Sequence, residues 1–153
     1  MTAPWPKPLR SLRLERIRHW TTQNVDTEQY GKLIYPRESY LIRGGCFNVY
    51  KELRNRHKEV VYKRALVLDL KDKGLEVSTE KQLPVTFDGK KVGVYIPDII
   101  VNNIIFLELK CKSVLTRQDE QQFWHYLRAT GYKLGFLINF GKADGVEIIR
   151  GVS

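Results

Sequence analysis

Apolar residues recur at helical spacing after Pro36, where the globular part of the chain is predicted to begin. One helical face would carry Ile42, Cys46, Val49, Tyr50 and Leu53, at positions i, i+4, i+7, i+8 and i+11. Ser39 is a suitable N-cap for this helix. A second helix would carry Val61, Ala65 and Leu68 on one face, flanked by Leu66 and Leu70 and followed by Gly74. Two amphipathic helices are therefore expected before the first strand of the domain.

The hydrophobic period changes from 3.6 residues to 2 at the next segment. Apolar and polar residues alternate over 83–87, and the Asp88-Gly89 pair is typical of a tight hairpin turn. The alternation resumes over 92–96 and runs on into 99–101, where the Asn102-Asn103 pair predicts the next turn and a third strand. Three strands joined by tight turns predict an antiparallel meander. Pro97 cannot donate a ladder hydrogen bond, so it marks a strand end or a distortion.

The last third of the chain returns to helix and then to strands. Residues 116–130 predict a helix that buries Phe123 and Leu127 and ends at Gly131. Two strands are predicted after it, over 134–138 and 146–149. The order is therefore helices, three strands, helix, strand, strand.

Residues 1–35 are predicted to be a basic extension, partly helical or flexible, outside the domain formed by 36–153. Three prolines disfavour regular structure over 1–8. Five basic residues against one acid lie between Lys7 and His19, with Leu9, Leu12 and Ile17 at loose helical spacing. A short basic helix lying along phosphate groups is one interpretation, and a solvated basic tail is the other.

Composition narrows the classes of partner. The chain has 153 residues, with 26 Lys and Arg against 17 Asp and Glu, and a net charge of +9. This surplus favours a polyanionic partner, most simply nucleic acid. No apolar run approaches the roughly 18 residues of a membrane span, and the N-terminus lacks an apolar signal region. Cys46 and Cys111 are too few for a disulfide scaffold, and we expect two buried thiols in a cytoplasmic protein.

Two carboxylates and a lysine meet in the predicted meander. Alternation puts Glu108 and Lys110 on one face of their strand, and a register centred on the Asn pair sets Asp98 within one step of Glu108. Two carboxylates are ligands that Mg²⁺ prefers, and an ammonium beside them can orient a water or offset charge on a phosphoryl group. The alternative is an ion pair between Glu108 and Lys110 on a solvated face.

Three further polar residues do not indicate a functional site when each is considered alone. Glu59 at the start of the second helix is, by itself, an acid that the helix dipole favours. Gln122 and Tyr126 are i, i+4 neighbours on the later helix, where surface and packing roles are common.

Ordered motifs from Pro36 to Gly141 resemble those of the GxxExxY family, a compact branch of the PD-(D/E)XK nuclease superfamily. They are Ser39-Tyr40, Gly45-Cys46-Phe47-Asn48-Val49-Tyr50, Glu59-xx-Tyr62, Ala65-Leu66, Pro97-Asp98, Glu108-Leu109-Lys110, Gln122-xxx-Tyr126-Leu127 and Gly135-Phe136-Leu137-Ile138-Asn139-Phe140-Gly141. The resemblance covers about two thirds of the chain. Where the family has a glycine-rich turn before the helical acid, this chain has Arg54-Asn55-Arg56.

The resemblance implies an α/β fold with an αβββαβ core, in which helices flank a mixed sheet. It implies a nuclease that uses Mg²⁺ or Mn²⁺ and acts on nucleic acid, with DNA expected, and it leaves a homodimer open. By position, Asp98 and Glu108 would bind the metal, Lys110 would be the motif lysine, Glu59 the helical acid, and Gln122 with Tyr126 the QxxxY element. We expect phosphate contacts from Arg54, Arg56, Lys58 and Lys112. The alternative is a catalytically silent nucleic-acid-binding or assembly module that retains the fold.

Overall fold

The computed structural model describes residues 13–17 and 34–153 of the chain. In these ranges the elements are β1 (Arg13–Ile17), α1 (Pro36–Leu53), α2 (Glu59–Asp72), β2 (Val77–Ser78), β3 (Leu83–Phe87), β4 (Lys90–Tyr95), β5 (Ile99–Val101), β6 (Ile105–Lys110), α3 (Arg117–Thr130), β7 (Leu134–Asn139) and β8 (Glu147–Val152). Each helix in the described part of the chain is too short or too polar to cross a bilayer.

The main sheet has six strands in the order β1-β8-β7-β6-β5-β2. Its β6 and β7 pair in parallel, with α3 as the connection between them, and the other neighbours are antiparallel. Parallel neighbours cannot be joined by a tight turn, so the chain must cross over from β6 to β7, and α3 forms this crossover. The predicted α/β fold with a mixed sheet is confirmed.

The predicted three-stranded meander is wrong. β3 and β4 form a separate two-stranded sheet, whereas β5 pairs with β6 and β2. The strand expected to run from Val92 to Val101 breaks at Pro97, as the missing backbone donor of proline requires. Both predicted turns are confirmed: Asp88-Gly89 and Asn102-Asn103 have positive φ at each central residue, the conformation of a two-residue hairpin turn.

The two helices of the first half differ in how well the pattern predicted them. On α1, Ile42, Cys46, Val49 and Tyr50 are buried as expected, but the helix begins at Pro36, so Ser39 lies inside the first turn rather than at the cap. On α2, the buried face is formed by Tyr62, Leu66 and Leu70. The predicted face is wrong, since Leu68 is 71% exposed. Packing against α1 and the sheet sets the rotation of α2, overriding its own weak pattern.

Two apolar clusters cover the two faces of the main sheet. Ile105, Leu107 and Leu109 of β6 belong to the cluster under α1 and α2. Phe106 belongs to the opposite cluster, with residues of α3 and of the β3–β4 hairpin. Because side chains alternate along a strand, Glu108 and Lys110 share the face of Phe106. The candidate site therefore lies on the side of α3 and the hairpin.

A capping box starts α3. The Thr116 hydroxyl accepts from the Asp119 backbone N–H at 3.1 Å, and the Asp119 carboxylate accepts from the Thr116 N–H at 2.9 Å. The Lys112 ammonium also donates to both oxygens of this carboxylate, at 2.8 and 2.9 Å. Burial opposes ionisation of Asp119, but the bonds from Lys112 and Thr116 outweigh it and hold the pKa below its ordinary value. The segment after β6 is thereby attached to α3.

The predicted basic helix is wrong for residues 13–17, which form β1 and pair antiparallel with β8. Pairing beside β8 gives these residues a ladder of backbone hydrogen bonds that a helix of loose apolar spacing does not outweigh. The rest of that prediction falls on residues outside the described ranges, and the division of the chain at residue 36 stays a prediction. The two cysteines are free thiols. Cys46 is buried but Cys111 is only partly buried, so the prediction that both are buried is wrong for Cys111.

Adjacent glycines in α1 predict opposite effects of alanine. An added Cβ at Gly44 meets no described atom within 4 Å, so Gly44→Ala should raise the free energy of unfolding by about 1 kcal/mol through helix propensity. At Gly45 the Cβ would lie 2.7 Å from Asp69 Oδ2 and 3.0 Å from Leu70 Cδ2, where α2 approaches. Overpacking should make Gly45→Ala about 1–3 kcal/mol less stable than Gly44→Ala. Urea unfolding measures both, and equal stability of the two variants would contradict this helix packing.

The pH dependence of stability tests the Asp119 contacts. Since the pKa of Asp119 is lowered on folding, its charge stabilises the fold above about pH 4 and stops doing so as the pH falls through the lowered pKa. Asp119→Asn should lower the unfolding free energy by roughly 1–2 kcal/mol at neutral pH, with a smaller difference in acid. Urea unfolding at several pH values measures this. Asp144→Asn, at an exposed acid, is the control, and a difference that grows in acid would refute the assignment.

Candidate active site

The first carboxylate of the candidate site lies directly before β5. Ile99 is opposite Leu107 in the β5–β6 register, and one further step sets Asp98 opposite Glu108. The backbone N–H of Leu109 donates to Asp98 Oδ2 at 2.8 Å. Asp98 is thus held against the end of β6 by the neighbouring strand's own backbone. The prediction that Asp98 lies within one step of Glu108 is confirmed, although the register is shifted by one residue from one centred on the Asn102-Asn103 pair.

The second carboxylate, Glu108, lies in the buried part of β6. Its Oε1 accepts a hydrogen bond from the Tyr95 hydroxyl at 2.6 Å. Burial raises the pKa of Glu108 to about 7, and the charge of Asp98 adds to this rise, although Tyr95 and Lys110 partly offset it. The protein alone therefore compensates the charge of Glu108 incompletely.

Tyr95 was not predicted as a site residue. It ends β4, is 6% exposed, and stacks on Tyr126 of α3 with ring centroids 3.7 Å apart and planes within 7°. Burial, together with the negative charge of Glu108, raises the pKa of its phenol, so Tyr95 keeps its proton and acts as a donor. In the sequence, Tyr95 is one more position in an alternating strand pattern. Its place two residues before the Pro97-Asp98 motif is the feature that could have indicated a role in the site.

Glu59 and Lys110 complete the group of charges. Glu59 is the first residue of α2, and most of the residue is exposed to solvent. Partial burial of its carboxyl group raises the pKa of Glu59, the charge of Asp98 raises it further, and Lys110 and Lys63 lower it. These effects mean that both Asp98 and Lys110 lie within electrostatic range of Glu59. The structure thus brings the helical acid to the strand residues.

Both lysines after Glu108 face Asp119 of α3. The Lys110 ammonium is 3.8 Å from Asp119 Oδ1, and the Lys112 ammonium is 2.8 Å from the same atom. Among the described residues, Lys110 therefore forms its ion pair with Asp119 of α3. The alternative of an ion pair between Glu108 and Lys110 is wrong. Lys112, predicted to contact phosphate, is already paired, although its side chain remains 43% exposed.

The basic loop between α1 and α2 is fixed beside this group. The Tyr62 hydroxyl donates to the Arg54 carbonyl and accepts from the His57 N–H, and the Tyr62 ring stacks on Phe140 at 4.7 Å. The Cys111 thiol, next to Lys110, donates to the His57 carbonyl at 3.2 Å. These contacts attach the loop to the end of β6. The side chains of Arg54, Arg56 and Lys58 are exposed.

The QxxxY residues lie on α3 as predicted but have different surroundings. Gln122 is exposed, whereas Tyr126 is half-buried against Tyr95, one helical turn further along. Tyr126 is therefore connected to Glu108 through the ring and hydroxyl of Tyr95.

Asp98 and Glu108 fit a divalent cation by the chemistry of their donors. In the described ranges no cluster of three or more Asp, Glu, His or Cys side chains is arranged to hold a metal ion. Mg²⁺ commonly binds through one or two carboxylates and keeps several waters, so a pair suffices. The raised pKa of Glu108 also indicates a carboxylate that a cation would stabilise in its charged form.

Comparison with known proteins identifies the family. A family model described as the PD-(D/E)XK nuclease superfamily matches residues 36–151, about three quarters of the chain. No curated protein and no solved structure matches the chain. The GxxExxY branch stays a prediction. The matched range spans every residue of the site described above, from Glu59 to Tyr126, and the chain belongs to the PD-(D/E)XK nuclease superfamily.

Proposed function

We propose that this protein is a divalent-metal-dependent nuclease that hydrolyses phosphodiester bonds in DNA, with Mg²⁺ or Mn²⁺ as its cofactor. The observation that carries the proposal is the position of Asp98 opposite Glu108 at the end of β6, where the backbone N–H of Leu109 donates to Asp98. Lys110 and Glu59 lie within electrostatic range of this pair. Membership in a superfamily of nucleases supports the reaction class.

The roles of the residues follow from their positions. Asp98 and Glu108 would hold the cation, which when bound supplies Lewis acidity toward a phosphoryl oxygen and acidifies a water. The Lys110 ammonium orients the attacking water and offsets negative charge on the phosphoryl group in the transition state. Glu59, at the N-terminus of α2, would accept a hydrogen bond from that water.

The substrate backbone would follow the basic side chains around the acids. Arg54, Arg56 and Lys58 are exposed in a loop attached to the end of β6. Contacts from such residues to phosphates contribute affinity and salt dependence but carry no sequence preference. Lys112 would join them from the α3 side through its exposed fraction. The free thiols support a reducing, cytoplasmic location, and a homodimer stays a prediction.

A binding module without catalysis is the second candidate. Arg54-Asn55-Arg56 in place of the family's glycine-rich turn favours it, because arginines there add phosphate contacts where the family has a tight turn. This candidate predicts salt-sensitive DNA binding that is indifferent to EDTA and to substitution of the two carboxylates.

Substitution of the carboxylates tests the catalytic proposal. Asp98→Asn and Glu108→Gln keep the shape of each side chain but remove a charged metal ligand, so Mg²⁺-dependent cleavage should fall by at least about 100-fold. The measurement is cleavage of single- and double-stranded DNA and RNA with Mg²⁺ and with EDTA. Asp88→Asn, in the distant hairpin turn, changes the same charge and should leave the rate unchanged.

Two outcomes of that assay contradict the proposal. Cleavage that survives both substitutions, or that EDTA does not reduce, would remove the metal-dependent mechanism. Absent cleavage by the wild type together with EDTA-indifferent DNA binding would favour the binding module.

The salt dependence of binding tests the basic loop. Arg56→Gln should weaken DNA binding about equally for different sequences and reduce the slope of log K against log salt by about 1, because one phosphate contact is lost. Binding is measured in EDTA so that the DNA stays intact. Lys71→Gln removes one charge near the far end of α2 and serves as the control. Equal slopes for wild type and Arg56→Gln would exclude the loop from the interface.

A further inference from the structure

We infer that Tyr95 is a positioning residue for the metal-binding carboxylate of Glu108, and that Tyr126 acts through its ring by supporting Tyr95. The inference rests on the proposed function, since it assigns Glu108 to a metal. Tyr95 lies outside the motifs by which the sequence resembles nucleases, and the hairpin that carries it lies outside the main sheet.

The contact between Tyr95 and Glu108 is short and directed. The Tyr95 hydroxyl donates to Glu108 Oε1 at 2.6 Å, within the range for a hydrogen bond to a charged acceptor. A donor on one carboxylate oxygen limits rotation of the group and leaves the second oxygen, Oε2, as a ligand for a cation. Hydrogen bonds of this kind orient metal ligands in proteins.

The ring of Tyr95 is packed on two sides, and this packing fixes the direction in which its hydroxyl points. Phe106 of β6 packs against it edge to face, with centroids 5.8 Å apart and planes at 82°. Tyr126 of α3 stacks on it at 3.7 Å and 7°. Because Phe106 and Glu108 are neighbours on one face of β6, the strand that carries the carboxylate also positions its donor. Tyr126 closes the other side from a different element.

The chain connection adds a second constraint. Tyr95 ends β4, and Pro97 and Asp98 follow after one intervening residue, Ile96. Pro97 is buried, and its ring restricts the backbone between the tyrosine and the aspartate. Asp98 is itself held by the Leu109 N–H. One short segment therefore positions both carboxylates: Asp98 directly and Glu108 through the tyrosine hydroxyl.

The experiment measures Mn²⁺ affinity by electron paramagnetic resonance, beside the Mg²⁺ and DNA dependence of cleavage. Tyr95→Phe removes the hydroxyl and keeps the ring, so the Kd for Mn²⁺ should rise by about 10-fold or more. The Mg²⁺ concentration at half-maximal cleavage should rise in parallel, while the KM for DNA stays within about twofold. Tyr126→Ala should also weaken Mn²⁺ binding, and the conservative Tyr126→Phe should recover the affinity that alanine loses.

Tyr50→Phe is the matched control. Tyr50 is 7% exposed, and its hydroxyl donates to the Lys142 carbonyl at 2.6 Å, so this variant deletes an equally buried and bonded hydroxyl outside the site. It should leave Mn²⁺ affinity unchanged, which separates positioning from a general loss of stability. Thermal unfolding of each variant verifies folding. If Tyr95→Phe does not fold, the two Tyr126 variants decide the question through the same Kd.

The outcomes separate this inference from the proposed function. Wild-type binding of Mn²⁺ that Glu108→Gln weakens and Tyr95→Phe does not would overturn the inference and leave the nuclease proposal standing. An equal Kd for Tyr126→Ala and wild type would overturn the role of the stack. A wild type that binds no Mn²⁺ would overturn both the proposed function and the inference.

Discussion

Partial burial of the Glu108 carboxylate near the end of an apolar strand is the constraint on which the site depends. Both sequence neighbours of Glu108 on β6 are buried, and the strand pairs on both sides, with β5 and with β7. Desolvation raises the pKa of this carboxyl to about 7, so the charged form needs partners. The Tyr95 hydroxyl is one such partner. Lys110 lowers the pKa of Glu108 only through its charge, because its ion pair is with Asp119. A divalent cation shared with Asp98 would be a further and stronger partner.

The fold supplies those partners from separate elements of the chain. The break at Pro97 directs β4 into a small sheet and β5 into the main sheet, which leaves Tyr95 and Asp98 on either side of the break. The N-terminus of α2 brings Glu59, and α3 brings Tyr126 against the hairpin. Asp119 on the same helix attracts the lysines that follow Glu108, so α3 positions both the aromatic and the cationic parts of the site.

Local rules predicted the parts of the fold that local interactions decide. The two positive-φ turns, the buried face of α1 and the extent of α3 follow from turn chemistry, periodicity and capping, and the turn at Asn102 predicted that Asp98 and Glu108 would meet. The face of α2, the separate hairpin and the strand at 13–17 depend on partners distant in sequence. Tyr95 was missed for the same reason, since its role arises only when the hairpin folds against α3.

The location of a bound cation tests the proposed metal site most directly. Crystals grown or soaked with Mn²⁺ allow its anomalous scattering to be mapped without reference to cleavage. We expect an anomalous peak between the carboxylates of Asp98 and Glu108, with the Tyr95 hydroxyl still bonded to the Glu108 oxygen that faces away from the ion. A peak elsewhere in the molecule, or two carboxylates in contact with no ion at saturating Mn²⁺, would contradict the proposed site.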